Sequence, residues 1–282
     1  MDVERLAQVV LRIKQGQNIH QHLDLIAGLP FEDYASFQKS FNDVYAMEPD
    51  QLQLGFLKVL KGAHMYDMVE EYGIGYQDNP PYEVLFTKWL SYEELLQLKA
   101  VEEMIEMYYN SGQFSHTLPV LMKCFKDAFS FFAALANFFE KRGYKTNSPA
   151  RIYRYDVLLQ FAIETDPEYT LMYEELLILD LYLREKVKSR PDFAKDLLEY
   201  KEEIRNFYGE EERSSKYLPH YGKISAKQLS NMTHMEPFYY PVWNMDEQIV
   251  RNHNQEPTFV VFDYTQKDRL TGKAKIIVLE NL

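Results

Sequence analysis

Polar and apolar positions along the 282-residue chain follow two periods, and the switches between them mark its elements. Val3, Leu6, Val10 and Ile13 recur three and four residues apart, which predicts an amphipathic helix closed by Gly16. From His20 the period falls to two. His20, His22 and Asp24 then share one face of a strand, and Gln21, Leu23 and Leu25 share the other. Gly28-Leu29-Pro30 ends that strand, and Tyr34 to Met47 returns to helical spacing through Phe37, Phe41, Val44 and Tyr45. After the break at Pro49-Asp50, Gln51 to Val59 reads as a second strand, with Leu52, Leu54 and Phe56 on one face and Gln51, Gln53 and Gly55 on the other. The first strand is separated from the second by roughly 30 residues, the size of a strand-helix-strand crossover. The two strands are therefore expected to run parallel.

Turn residues then fill Gly62 to Pro81, and Tyr82 to Trp89 reads as extended or as a short helical piece. Ser91 with Glu94 forms a capping box that opens a helix over Tyr92 to Tyr109, stopped by Asn110-Ser111-Gly112. Pro119 to Lys141 predicts one aromatic-rich helix. Ser148-Pro149 opens the next, to about Glu164; Asp166-Pro167 starts Glu168 to Lys188, and Arg190-Pro191-Asp192 starts Phe193 to Tyr208. Gly209 to Lys227 is polar and turn-rich. Strands are predicted at Phe238 to Tyr240, Pro257 to Tyr264 and Ala274 to Leu279. The last two make a hairpin with a loop of about four to six residues, Gly272 lying near its end.

Composition narrows the function classes. With 46% apolar residues and 15% aromatics the chain can build a proper core. A net charge of -12 argues against a nucleic-acid surface, which needs clustered Lys and Arg. A single cysteine excludes a disulfide framework. Met-Asp-Val-Glu-Arg does not read as a signal peptide, and the longest apolar run, Ala128 to Phe139, is too short to span a bilayer. A soluble cytoplasmic protein is the expectation.

Candidate chemistry is sparse. Two histidines and a carboxylate on one strand face suit a site at the strand's C-terminal end, or an edge strand with one wet face. Glu93, Glu94, Glu102, Glu103 and Glu106 read as a solvated helix face, because the Glu-x-x-His spacing of di-iron bundles is missing. Lys141, Arg142, Lys145, Arg151 and Arg154 could dock the carboxylates of an acidic substrate or form an ordinary charged rim, with Tyr153 and Tyr155 beside them. His64 reads as a solvated loop histidine. His234-x-Glu236 lacks the Pro-Cys-x-x-Cys half of a zinc deaminase, and there is no phosphate-binding loop or nucleophile elbow.

The residues from Asp24 to Pro30 and from Gln51 to Gly62 resemble the last two strands of a radical S-adenosylmethionine barrel. With Trp89-Leu90-Ser91 and Tyr109-Asn110-Ser111-Gly112-Gln113-Phe114, the likeness narrows to the cobalamin-binding-domain radical enzymes labelled magnesium-protoporphyrin IX monomethyl ester oxidative (anaerobic) cyclases. It covers about the first 115 residues. The resemblance implies cofactor contacts at Asp24, Gly28, Gln53, Gly55 and Phe56, with no metal ligand in this chain. It also implies S-adenosylmethionine, a [4Fe-4S] cluster and cobalamin for an intact parent, and a tetrapyrrole-like small-molecule substrate. The sequence departs from the family in three ways, the first being that no Rossmann-like cobalamin domain precedes the first strand. The C-x3-C-x2-C run that a cluster requires is absent, and Phe31-Glu32-Asp33 stands where the family more often has a glycine followed by polar residues.

Two parallel strands are too few for a stable sheet, so the chain is expected to be a piece of a longer one, incompetent alone. Its partner would be the N-terminal half of that parent. The exposed edge of the first strand is expected either to dimerise or to be covered by the C-terminal strands. The expected fold is α+β and mostly helical. Residues 1–62 form the C-terminal segment of a radical-SAM-type (β/α) barrel, 63–90 a linker, 91–215 a helical accessory domain, and 216–282 a region with a C-terminal β-hairpin. Two other readings compete: a non-catalytic acidic helical interaction protein, and a metal hydrolase using His20, His22 and Asp24.

Overall fold

The computed structural model describes residues 3–16, 18–144, 150–244 and 246–279. The chain opens with α1 (Val3–Gln15), β1 (His22–Ala27), α2 (Tyr34–Tyr45) and β2 (Gln51–Phe56). Two one-turn helices, α3 (His64–Asp67) and α4 (Val69–Tyr72), lead to β3 (Gly75–Tyr76) and β4 (Val84–Phe86). Then come α5 (Tyr92–Met104), α6 (Thr117–Met122), α7 (Ala128–Arg142), α8 (Arg151–Thr165), α9 (Thr170–Arg184), α10 (Lys201–Ser214) and α11 (Ala226–Met232). The chain closes with β5 (Thr233–Phe238), α12 (Glu247–Val250), β6 (Thr258–Lys267) and β7 (Ala274–Leu279). The fold is α+β and mostly helical, with no closed barrel among the described residues. Among the described residues no helix is long and apolar enough to cross a membrane.

Residues 1–112 and 125–148 form one compact unit, and 113–124 with 149–282 form another. This differs from the four-part division read from the sequence. In the first unit the aromatic face of α7 packs on α2, with the Phe41 and Phe129 rings at 5.4 Å and Asn42 Oδ1 accepting from the Phe129 N–H at 2.9 Å. Long-range apolar contact of this kind is invisible in local periodicity, so α5 and α7 join the strand pair instead of a separate helical domain.

The crossover expected from the opening residues is present. β1 and β2 pair in parallel, Asp24 beside Gln53 and Ala27 beside Phe56. Asp33 caps α2, accepting from the Ser36 N–H at 2.8 Å. Leu52, Leu54 and Ala27 are buried at 5% exposure or less. The β1–β2 sheet has only these two strands among the described residues. The C-terminal strands do not cover its edge, because β5, β6 and β7 pair with one another in a separate antiparallel sheet. Alternating apolar residues in β6 and β7 found their partners locally, as a hairpin allows at small loop entropy.

Several boundaries moved. The helix expected over Pro119 to Lys141 is two helices, because Asp127 accepts from the Ser130 N–H at 2.8 Å and starts α7 afresh. The helix expected at Phe193 begins at α10 and runs through Gly209 to Ser214. α11 lies in the stretch read as turns, opened by a Ser225–Gln228 capping box. The strand expected at Phe238 to Tyr240 lies earlier, as β5. The Ser148-Pro149 start signal falls outside the described residues.

In the second unit α9 is buried along nearly its whole length, including two acids, Glu175 and Asp180. Beside the three-stranded sheet, Phe207, Tyr208, Leu218, Leu229, Met235, Phe259, Val261 and Leu279 make a core cluster.

Candidate functional site

The open face of the β1–β2 pair is where the sequence expectations converge. Because side chains alternate, His22, Asp24 and Ile26 fall on one face with Gln51, Gln53 and Gly55. That face is solvent-exposed at His22, Asp24 and Gln53, and Ile26 is 47% exposed. The opposite face carries Leu52 and Leu54 into the core. Asp24 therefore lies on the uncovered side, next to Gln53 across the strands. Phe56 lies on the other face, where the Lys99 ammonium sits 5.1 Å from its ring centroid, so it is not grouped with Asp24, Gln53 and Gly55. His20 precedes the strand, its ring 4.9 Å from that of His22.

Gly28 has a local structural reason. Its φ is +88°, and a Cβ there would lie 2.8 Å from Val84 Cγ1. Both facts require glycine, and the neighbour that requires it is β4. Phe31 has φ +67°, a backbone region that strains a bulky L-residue. The Phe31 ring is 73% exposed and meets Trp89 at 4.6 Å and Tyr72 at 5.5 Å between centroids. Burial pushes the neighbouring Glu32 carboxyl above its ordinary range, opposed by a hydrogen bond from Ser40.

Asn110 is a residue whose role the sequence reading missed. After Met104 the helix widens to a π turn over Ile105–Asn110, and the Asn110 amide is laid against the outer edge of β2. Its Oδ1 accepts from the Leu52 N–H at 2.9 Å and its Nδ2 donates to the Leu52 carbonyl at 3.0 Å, as a neighbouring strand would. Further along, Val59 and Val84 extend the same edge by donating to Tyr82 and Leu57 carbonyls at 2.8 Å each. β2 is thus closed on the side away from β1.

A cleft enclosing about 630 Å³ opens between α5 and α7, where Ala100, Ala133 and Ala136 leave space beside Leu96 and Asn137. The α5 acids were expected to be a solvated face. Glu103 and Glu106 are exposed, while burial and then the charges of Glu106 and Glu103 push the Glu102 carboxyl up.

The remaining candidates separate. Lys141 and Arg142 close α7 in the first unit, Arg151 opens α8 in the second with an ion pair to Glu185, and Lys145 lies outside the described residues. His64 is exposed. His234 and Glu236 do meet, Nε2 to Oε2 at 2.7 Å, but Arg190 grips the same carboxylate with two bonds of 2.6 and 2.7 Å. Burial lowers the His234 pKa, while the bonds from Arg190 and His234 outweigh burial and hold the Glu236 carboxyl below its ordinary range. Among the described residues no three His, Cys, Asp or Glu side chains are grouped to hold a metal ion. The two α9 acids are also engaged. Asp180 accepts from the N–H groups of His116 and Thr117, and Glu175 from those of Tyr239 and Tyr240. Three acids, Glu174, Glu175 and Asp180, in the otherwise apolar run Leu171 to Leu183 were the signal that could have revealed them.

A family model described as a protein of unknown function (DUF4080) matches residues 70–262, from α4 to inside β6. No curated protein matches the chain. The match leaves the β1–α2–β2 crossover outside its range.

Proposed function

The chain belongs to the DUF4080 family of proteins of unknown function, a family associated with radical S-adenosylmethionine and cobalamin-binding proteins, and we propose that it is the C-terminal part of such an enzyme. In this reading β1 and β2 are the last strands of a barrel whose other strands lie in the N-terminal half of the parent chain. The [4Fe-4S] cluster and the cobalamin belong to that half, and the substrate is a small tetrapyrrole-like molecule.

One observation carries the reading. A carboxylate, Asp24, stands beside an amide, Gln53, on the uncovered face of a two-stranded parallel sheet. Parallel strands are ordinarily covered on both faces, and a polar pair on an inner face is how α/β barrels hold ligands near their strand ends. Asp24 would accept hydrogen bonds from the cofactor's ribose or amine, and Gln53 and Gly55 would lie beside its adenine. This assignment does not extend to Gly28, whose geometry Val84 explains, or to Phe56, which lies on the other face.

The test is calorimetric titration of S-adenosylmethionine into this chain and into the parent chain, each as wild type and as Asp24→Asn. Binding by the parent alone, weakened about tenfold or more by the substitution, is the expected result; loss of one charge-assisted hydrogen bond gives that magnitude. Tight binding to this chain by itself overturns the shared site. An upstream reading frame with no cysteine run would favour an acidic interaction module instead.

A further inference from the structure

The second unit contains a cluster of nucleophilic and titratable groups that the strand pair does not use. Ser115 lies at the turn into α6, and Lys273, after the β6–β7 turn, places its Nζ 2.6 Å from Ser115 Oγ. His116 Nδ1 lies 3.2 Å from the same oxygen and Asp180 Oδ1 lies 3.3 Å from it. Asp180 also receives the N–H groups of His116 at 3.0 Å and Thr117 at 2.9 Å, so a buried carboxylate fixes the backbone that carries the serine.

Anchoring explains Asp180 but not two other features. Lys273 is half-buried with a neutral hydroxyl as its hydrogen-bond partner, and burial moves its ammonium pKa below the ordinary lysine range against the opposing charges of Asp180 and Asp268. Desolvating an amine without an ion pair is costly, and a surface hairpin does not need it. The Tyr155 hydroxyl is buried with no partner, and its ring lies 4.6 Å from Phe114, the residue before Ser115. His116 meets Ser115 and Asp180 through one ring nitrogen, Nδ1, so it cannot relay a proton from one to the other through its two nitrogens. That leaves Lys273 as the base.

We propose that Ser115 and Lys273 are a nucleophile and general-base pair that transfers the acyl group of a small ester or thioester to water. Ser115 Oγ attacks the carbonyl carbon, its proton passes to Lys273 Nζ, and the carbonyl electron pair moves to oxygen. Collapse breaks the bond to the leaving alkoxide or thiolate, which takes the proton back from Lys273. Water then attacks the acyl-serine, losing its proton to Lys273; collapse breaks the bond from the acyl carbon to Ser115 Oγ, which takes the proton back from Lys273 as the acid departs. Asp180 and His116 act as positioning residues. The site stands apart from the S-adenosylmethionine reading and does not depend on it. Ser115, Tyr155 and Asp180 fall inside the family match, and Lys273 falls beyond it.

The experiment treats the whole chain with a fluorophosphonate probe and maps the adduct by mass spectrometry, following the rate against pH. An adduct on Ser115 is expected, with a rate that rises as Lys273 loses its proton. Lys273→Met should slow labelling about a hundredfold, the ordinary worth of general-base catalysis, and flatten the pH profile. Absence of an adduct at Ser115 in the folded wild type overturns the proposal whatever the variants do. An unchanged labelling rate in a folded Lys273→Met protein overturns it as well.

Discussion

Replacing Gly28 by alanine should destabilise the first unit for a reason that a second substitution can isolate. Two costs add. The backbone at φ +88° lies in the left-handed region, about 1–2 kcal/mol for any L-residue. The new Cβ would also lie 2.8 Å from Val84 Cγ1, closer than real methyl groups approach, and relieving such a clash in a packed core costs about 1–3 kcal/mol. Val84 is 1% exposed, so it cannot swing into solvent. Together these give about 3–4 kcal/mol for Gly28→Ala. In a Val84→Ala background the offending Cγ1 is gone, and the remaining Val84 Cβ contact, at 3.6 Å, is ordinary. There the penalty should fall to the backbone share, about 1–2 kcal/mol. The four proteins of this cycle are compared by equilibrium urea unfolding, where the coupling appears as roughly 2 kcal/mol of non-additivity. Equal penalties in both backgrounds would refute the packing argument and return Gly28 to the cofactor contact that the family resemblance implies.

Other expectations follow from the same geometry. Asn110→Ala strips the edge of β2 of two hydrogen bonds at Leu52 and should cost about 1–3 kcal/mol, read as a lower urea midpoint with unchanged helical circular dichroism. Arg190→Met leaves Glu236, 3% exposed, without its cation and should cost about 3–5 kcal/mol in the same assay. In the wild type, His234 titrates below its ordinary 6.5 and Glu236 below its ordinary 4.5, so in each case the unfolded chain takes up the proton first. Stability should be full above pH 6.5, weaken below it as His234 protonates in the unfolded state, and weaken further below 4.5. A melting temperature that rises on acidification through that window would contradict this.

Local signals carried the first unit's opening well. Tyr34 to Met47 and Gln51 to Val59 have clean periods of 3.6 and 2, and a helix between two short strands leaves parallel pairing as the compact solution. Alternation alone also put Gln53 and Gly55 on one face of the second strand and Phe56 on the other, while the register that sets Asp24 beside Gln53 came from the structure. Capping chemistry was legible where it was read, at Ser91 with Glu94, and was overlooked where the same spacing recurred at Ser225 with Gln228. The break at Asp127 was masked by the phenylalanines on either side, which made two helices look like one.

The sequence by itself determined the opening helix-strand-helix-strand order, the parallel crossover, and the exclusion of a disulfide framework and of a cluster-binding cysteine run, because each depends on residues near one another along the chain. Tertiary structure alone decided that Gly28 answers to Val84, that Asn110 serves as a surrogate strand for Leu52, and that Ser115 meets Lys273 across 158 positions. Those are contacts between distant segments, and their energy depends on how side chains of fixed volume and polarity fill a shared interior. No local period records it.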